Sequence, residues 1–300
     1  MRKILSPLLF LLISYLFTSC QSAMTPEQLK QAITTELAKN EGQFAVAFSD
    51  PATGTTLLIN ADSTFHAAST MKTPVLIEVY KQAAAGTLSL TDSLPVKNEF
   101  HSIVDSSTYS LNPEDDSEKK LYTLIGTKKT LYDLVYDMII MSSNLATNIV
   151  IEYVDAKKVT QTMRQLGAKD IQVLRGVEDS KAYQKGLNNT TTAQDLMVIF
   201  QKMAAGQTVD SASSQAMIRI LLDQHFNEII PAKLPKDVKV AHKTGSITGV
   251  QHDSGIVFLP DGRKYILVLL SKGIKDEKAA VASMARVSEM IYQYVVQEKQ

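Results

Sequence analysis

Ser69 and Lys72 stand three residues apart at the head of a long apolar stretch, and that spacing could make a nucleophile. A helix beginning near Ser69 carries Lys72 on the same face, so its amine can reach the serine hydroxyl. A free serine hydroxyl is a poor nucleophile until a neighbouring base takes its proton. For lysine to be that base its pKa must fall, which burial or a second cation achieves. Lys243, in the string Lys243-Thr244-Gly245-Ser246, is the candidate second cation. The helix start adds positive potential that favours an oxyanion at Ser69. Pro74, one turn into the helix, is expected to disturb its first turn.

A third string, Ser142-Ser143-Asn144, follows the apolar segment 130–141. Ser142 offers a second hydroxyl able to relay a proton to a leaving nitrogen. The Asn144 amide can both donate to and accept from an amide-bearing substrate. The same residues also suit a helix-to-helix turn with a Ser or Asn cap, and both readings can hold at once. In the strand-like VKVAHKTGS, Lys243 and Thr244 could bind a substrate carboxylate, and Gly245 would let backbone approach a ligand closely. The N–H groups of Ser69 and Ser246 would then form an oxyanion hole. Lys243 read alone is simply an exposed strand lysine.

Spacing alone does not single these strings out. S-x-x-K recurs at Ser117–Lys120 and S-x-N at Ser110–Asn112, whereas K-T-G occurs once. Ser117 lies in a polar run with Glu114, Asp115, Asp116 and Glu118, and Asn112 precedes Pro113. Only Ser69 and Ser142 adjoin long apolar segments.

The elements that must bring the strings together follow from periodicity. Thr25-Pro26-Glu27-Gln28 is a capping box with proline at the first helical position, predicting a helix to about Asn40. Two strands, QFAVAFS and TTLLIN, are separated by a turn at 50–54. Residues 69–222 read almost wholly helical, with segments after Ser69 and at 130–141, 145–154, 156–166, 192–205 and 211–222. Three strands follow, VKVAHKTGS, HDSGIVFL and KYILVLLS, the last two joined by the hairpin signal at 260–263. A final helix over about 275–297 carries Val281, Met284, Val287, Met290, Ile291 and Tyr294 on one side. The expected fold class is α+β: a five-stranded antiparallel sheet flanked by terminal helices, with a large all-helical lobe inserted. Its sheet part spans about 25–68 and 223–300, its lobe about 69–222, and the strings can meet at their seam.

Met1-Arg2-Lys3, an apolar run from Ile4 to Phe17 and Thr18-Ser19-Cys20 read as a secretory signal over 1–19. Cys20 is the single cysteine, so no intramolecular disulfide is possible. Its place resembles a bacterial lipobox, which implies cleavage before Cys20, its lipidation, a short tether over 20–24 and a catalytic domain over 25–300. An ordinary cleaved signal is the alternative. The formal net charge of zero argues against a nucleic-acid partner, and 45% hydrophobic content is ordinary for a globular chain. No glycine-rich phosphate loop and no Cys/His cluster at metal spacing is present, so neither metal nor cofactor is expected.

Taken together, the three strings resemble the signature set of the class A β-lactamase and penicillin-recognising serine hydrolase family. The resemblance covers essentially residues 25–298: FHAASTMKTPVLIEVY is similar to the family's nucleophile helix, and LNNTTTAQDLM to the segment closing its omega loop. It implies Ser69 as the acylated nucleophile, Lys72 as proton acceptor and Ser142 as relay. Asn144 and Thr244 become substrate contacts, and Asn148 braces the loop carboxylate. Four departures stand out. Ser143 replaces the usual aspartate, and a hydroxyl- and acid-rich stretch near 100–120 lengthens the connection between the first two strings. The loop candidate RGVEDSKAYQKGLNN is short, leaving Glu178 as the best hydrolytic carboxylate, Asp179 as its rival, and a solvated acidic pair as the bland reading. No arginine stands at the sites near the third string that in the family usually help hold the β-lactam carboxylate, where Pro231 and Asp253 fall instead. The expected activity is an exported serine β-lactamase acting through a Ser69 acyl-enzyme. The alternatives are a cell-wall D-alanyl peptidase, amidase or esterase, or a penicillin-binding sensor that does not turn over. Expected partners are a small β-lactam or peptidoglycan fragment and, through Cys20, a bacterial membrane facing the periplasm or cell exterior; a monomer is expected.

Overall fold

The computed structural model describes residues 24–297, so Cys20 and the leader lie outside it. Its centre is one antiparallel sheet of β1 (Gln43–Ser49), β2 (Thr56–Ile59), β3 (Lys239–Ile247), β4 (Val250–Phe258) and β5 (Lys264–Lys272), in the order β2-β1-β5-β4-β3. Strand β5 reads YILVLL without polar interruption because the sheet is covered on both sides. Leu267 and Leu269 join one core cluster, while Ile266, Val268 and Leu270, alternating with them, join the other.

The first cluster lies under helices at the two ends of the described chain. Helix α1 (Pro26–Leu37) starts with the anticipated capping box: Gln28 N–H donates to Thr25 Oγ1 at 3.2 Å, and Thr25 N–H donates to Gln28 Oε1 at 2.8 Å. It buries Leu29, Ile33 and Leu37 against Met284, Val287 and Ile291 of the C-terminal helix Glu277–Gln297. Burying a Leu or Ile side chain contributes about 1.5–3 kcal/mol, so this apolar stripe holds both helices to the sheet. The second cluster fills the space between the opposite face and the helical lobe. The lobe comprises α2 (Lys72–Ala84), α3 (Leu131–Ile140), α4 (Asn144–Val154), α5 (Ala156–Leu166), the short α6 (Ser180–Gln184), α7 (Ala193–Ala204) and α8 (Ser211–Leu222).

The lobe is less helical than its sequence suggests. Between Ala84 and Leu131 the chain forms short pairings, Ser93–Pro95 with Lys128–Thr130 and Phe100–His101 with Thr108–Tyr109, plus two 3₁₀ turns. Side chains there bond backbone in competition with a helix. Asn98 alone takes the N–H of Leu111 at 2.8 Å and donates to its carbonyl at 2.9 Å. Asp105, Asn112 and Asp116 each accept the N–H two residues on.

Strand β3 is a sheet edge, which would leave a row of backbone groups unpaired. The 3₁₀ turn Ala68–Met71 packs beside it. A Cβ placed on Gly245 would lie 3.1 Å from both the Ser69 and Thr70 nitrogens, so glycine there lets the two backbones approach.

Candidate active site

Ser69 sits in that turn rather than in a regular helix, and α2 begins at Lys72 with Pro74 in its first turn. Three anchors hold the turn. Thr70 Oγ1 donates to Ala67 O at 2.6 Å, Ala68 N–H donates to His66 Nδ1 at 3.0 Å, and buried His252 on β4 donates from Nε2 to His66 O at 2.9 Å. Ala68 at φ 44°, Ser142 at φ 56° and Glu178 at φ 64° all adopt left-handed backbone. Such residues cost about 1–3 kcal/mol each and persist only where surrounding contacts over-determine them.

Two lysines lie beneath the turn, both fully buried. Lys72 Nζ donates to Ser142 O at 2.6 Å, Asn144 Oδ1 at 3.0 Å and Ser142 Oγ at 3.3 Å. Its three donors are thus directed at the second string, not at the Ser69 hydroxyl that the three-residue spacing suggested. Lys243 Nζ donates to Ser142 Oγ at 3.0 Å and Thr244 O at 2.9 Å. Burial pushes the Lys72 pKa down to about 7, against the upward pull of Asp116 and Glu178. Burial and the charge of Lys72 hold Lys243 well below the ordinary lysine range, with Asp253 opposing. With two lysine Nζ groups donating to its oxygen, the Ser142 hydroxyl has its own proton left to give.

Asn144 links the strings. Its Oδ1 faces Lys72, and its Nδ2 donates to Glu178 Oε1 at 2.9 Å. Glu178 is therefore no solvated surface acid: burial lifts its pKa above the usual carboxylate value, partly offset by the Asn144 hydrogen bond. Its loop neighbour Asp179 is committed elsewhere. The Asp179 carboxylate accepts from Ser102 Oγ at 2.9 Å, Ile103 N–H at 3.0 Å and Ala182 N–H at 3.0 Å, so it caps α6 and ties the loop down. Asn148 also differs from expectation. It clasps the backbone of Val177, taking the N–H at 2.6 Å and donating to the carbonyl at 3.0 Å, rather than bracing a carboxylate.

Two cavities meet at Ser69. One, of about 370 Å³, is shared with His66, Asn144, Glu178, Tyr183 and Ser246. The other, of about 580 Å³, is shared with Ser142, Thr244, Gly245, Gln251 and Lys278. Ser246 borders both, its Oγ accepting from Gln251 Nε2 at 2.8 Å. Among the described residues, no arginine lines the second cavity. Asp253, in the position noted from sequence, is buried on β4, paired with Thr244 of β3, 2.8 Å from His242 Nδ1 and accepting Ile230 N–H at 3.0 Å.

The other S-x-x-K match is no second site: Ser117 Oγ donates to Met141 O at 2.6 Å, and Lys120 is exposed. Sequence reasoning did miss Asp116. This buried carboxylate accepts the N–H groups of Asn144 and Leu145, each at 2.9 Å, at the start of α4. The signal was Ser143: a helix start without its usual carboxylate still has free N–H groups, and an acid must be sought outside the motif.

Residues 28–295 match the Beta-lactamase2 family, described as the beta-lactamase enzyme family. Beta-lactamase VEB-1 of Pseudomonas aeruginosa is 24% identical over 287 residues, covering 92% of each chain. The crystal structure of a beta-lactamase from Sphaerobacter thermophilus shares 26% identity at a TM-score of 0.76, over 88% of this chain and 96% of that one. A PBP-A mutant in an acyl-enzyme complex with penicillin G gives 25% identity and a TM-score of 0.78, over 92% and 99%. With nearly its whole described length matched, the chain belongs to the beta-lactamase enzyme family.

Proposed function

We propose that the chain is an exported serine β-lactamase of the class A type. The observation that carries this reading is the cavity shared by Ser69, Asn144 and Glu178, with Lys72 donating to Asn144 from beneath. Neutral Lys72, having lost one of the three protons it directs at the second string, turns its freed lone pair to the Ser69 hydroxyl and takes its proton, and Ser69 Oγ bonds to the lactam carbonyl carbon. The oxyanion faces the N–H groups of Ser69 and Ser246. The C–N bond breaks as the Ser142 hydroxyl protonates the leaving nitrogen, its own proton replaced from a neighbouring lysine. Lys243, Thr244 and Ser246 hold the substrate carboxylate, and Asn144 binds the substrate amide. Glu178 then takes a proton from a water that attacks the ester, and Ser69 leaves with its proton restored. A sensor that keeps its acyl group would not need a carboxylate placed beside Asn144, so Glu178 favours a hydrolase that turns over.

Purified protein should hydrolyse a chromogenic cephalosporin steadily, without stalling after one equivalent. The pH dependence follows from Lys72. Its base form exists above a pKa of about 7, so kcat/KM should fall as pH drops below that value and level off above it. A profile flat down to pH 5 would remove Lys72 as the base.

For location, the support is the sequence: the leader and Cys20 point to a lipoprotein facing the periplasm or cell surface. Each buried acyl CH₂ contributes about 0.8 kcal/mol of membrane attachment. Cys20→Ala should move the protein from the membrane to the soluble fraction; unchanged attachment would sink the lipid anchor.

A further inference from the structure

Resting on the reading of Ser69 as nucleophile, we propose that Asp116 is a positioning residue that supplies, from a distant segment, the carboxylate missing from the second string. The first N–H groups of a helix have no partner within it. In α4 those of Asn144 and Leu145 are both taken by Asp116 Oδ2, and that of Ala146 by Ser143 Oγ at 3.2 Å. Tyr122 Oη donates to the same Asp116 oxygen at 3.0 Å, and Glu118 N–H to the other at 3.1 Å. Both oxygens are thus occupied, and the side chain is buried.

What Asp116 holds matters more than the helix it caps. Asn144 is the first residue of α4, and fixing its backbone aims its amide between Lys72 and Glu178, the two groups assigned to proton transfer. Its charge also reaches both. Lys72, lowered chiefly by burial, is faced by Lys243 and by Asp116 and Glu178, which pull its pKa upward. Glu178, raised chiefly by burial, is faced by Asp116 and Asp115, with Asn144 and the Asn112 backbone stabilising its charged form. Removing the charge of Asp116 therefore moves both groups in one direction: each gives up its proton at lower pH.

Asp116→Asn keeps the shape and removes the charge. Its kcat/KM plateau should fall about tenfold or more as Asn144 loosens, because small misplacements cost heavily in catalysis. The acid limb should shift to lower pH. A capping residue with no further role would lower the melting temperature and leave that limb where it was, and this outcome overturns the proposal. A readout on the resting protein separates this from failure of the lactamase reading. With lysine ε-carbons labelled with ¹³C, the NMR signal absent in Lys72→Met should titrate at lower pH in Asp116→Asn, whether or not any lactam is hydrolysed; an unmoved midpoint overturns the proposal. Should Asp116→Asn fail to fold, Asp116→Glu keeps the charge but displaces the oxygens by one methylene. It should lose plateau activity with its acid limb in place, and a parental plateau there would overturn the positioning role.

Discussion

Ser69→Ala is expected to keep its fold and lose lactam turnover by about four orders of magnitude or more, since members of a catalytic unit fail together. The larger expectation is chemical. Parent protein acid-quenched during turnover of a β-lactam should show the mass of one intact lactam, mapped to the peptide containing Ser69, and the variant should gain none. The geometry makes this selective. Ser142 Oγ already accepts from two lysines and Ser117 is committed to a backbone carbonyl, and of these three serines Ser69 is the one that lines both cavities. Removing one hydroxyl from an irregular turn leaves the anchors at His66, Ala67 and His252 untouched. Loss of turnover should therefore come without a matching loss of melting temperature. An adduct persisting in Ser69→Ala would reassign the nucleophile.

Glu178→Gln should separate the two halves of the reaction. The glutamine amide oxygen can still accept from Asn144 Nδ2, so substrate should bind and acylate Ser69 at a near-parental rate. Without a carboxylate to take a proton from water, deacylation should slow by about 10²–10⁴-fold, the range of general-base contributions. Rapid quench should show a burst of one equivalent, with the acyl-enzyme persisting in the mass spectrum. Asp179→Asn should not stall in this way, because its carboxylate is spent on Ser102, Ile103 and Ala182. If Glu178→Gln turns over like the parent, Lys72 or another base serves both steps and the peptidase or esterase reading gains ground.

The parts of the fold legible in sequence are those whose physics is local. A capping box closes within three residues, a doubly covered strand such as β5 declares itself as a short apolar run between turn residues, and the hairpin between β4 and β5 by its turn residues. The three strings were legible for the same reason, each being a short run on one element. What stayed hidden depends on partners far along the chain. Asp116 meets Asn144 across 28 residues and Asp179 meets Ser102 across 77. Read locally, both are acids in polar loops, and only the folded chain shows each carboxylate collecting backbone N–H groups. The clasp of Asn148 on Val177 was half legible: the helix face placed the amide toward the loop but could not say which residue it would grip.

The ties between residues 102–107 and 179–182 have a consequence for engineering and for descent. Asp179 is held by Ser102 and Ile103, and Lys181 by Asp105 and Ser107, both at 2.7 Å. The segment 102–107 and the loop at 179–182 are therefore complementary halves, each supplying the donors or acceptors that the other requires. Grafting the loop of a relative onto this chain, while keeping 98–118, would set unmatched hydroxyls and carboxylates against each other beside Ser69. The two segments form one transplantable cassette, and a chimaera that respects the nucleophile should exchange them together.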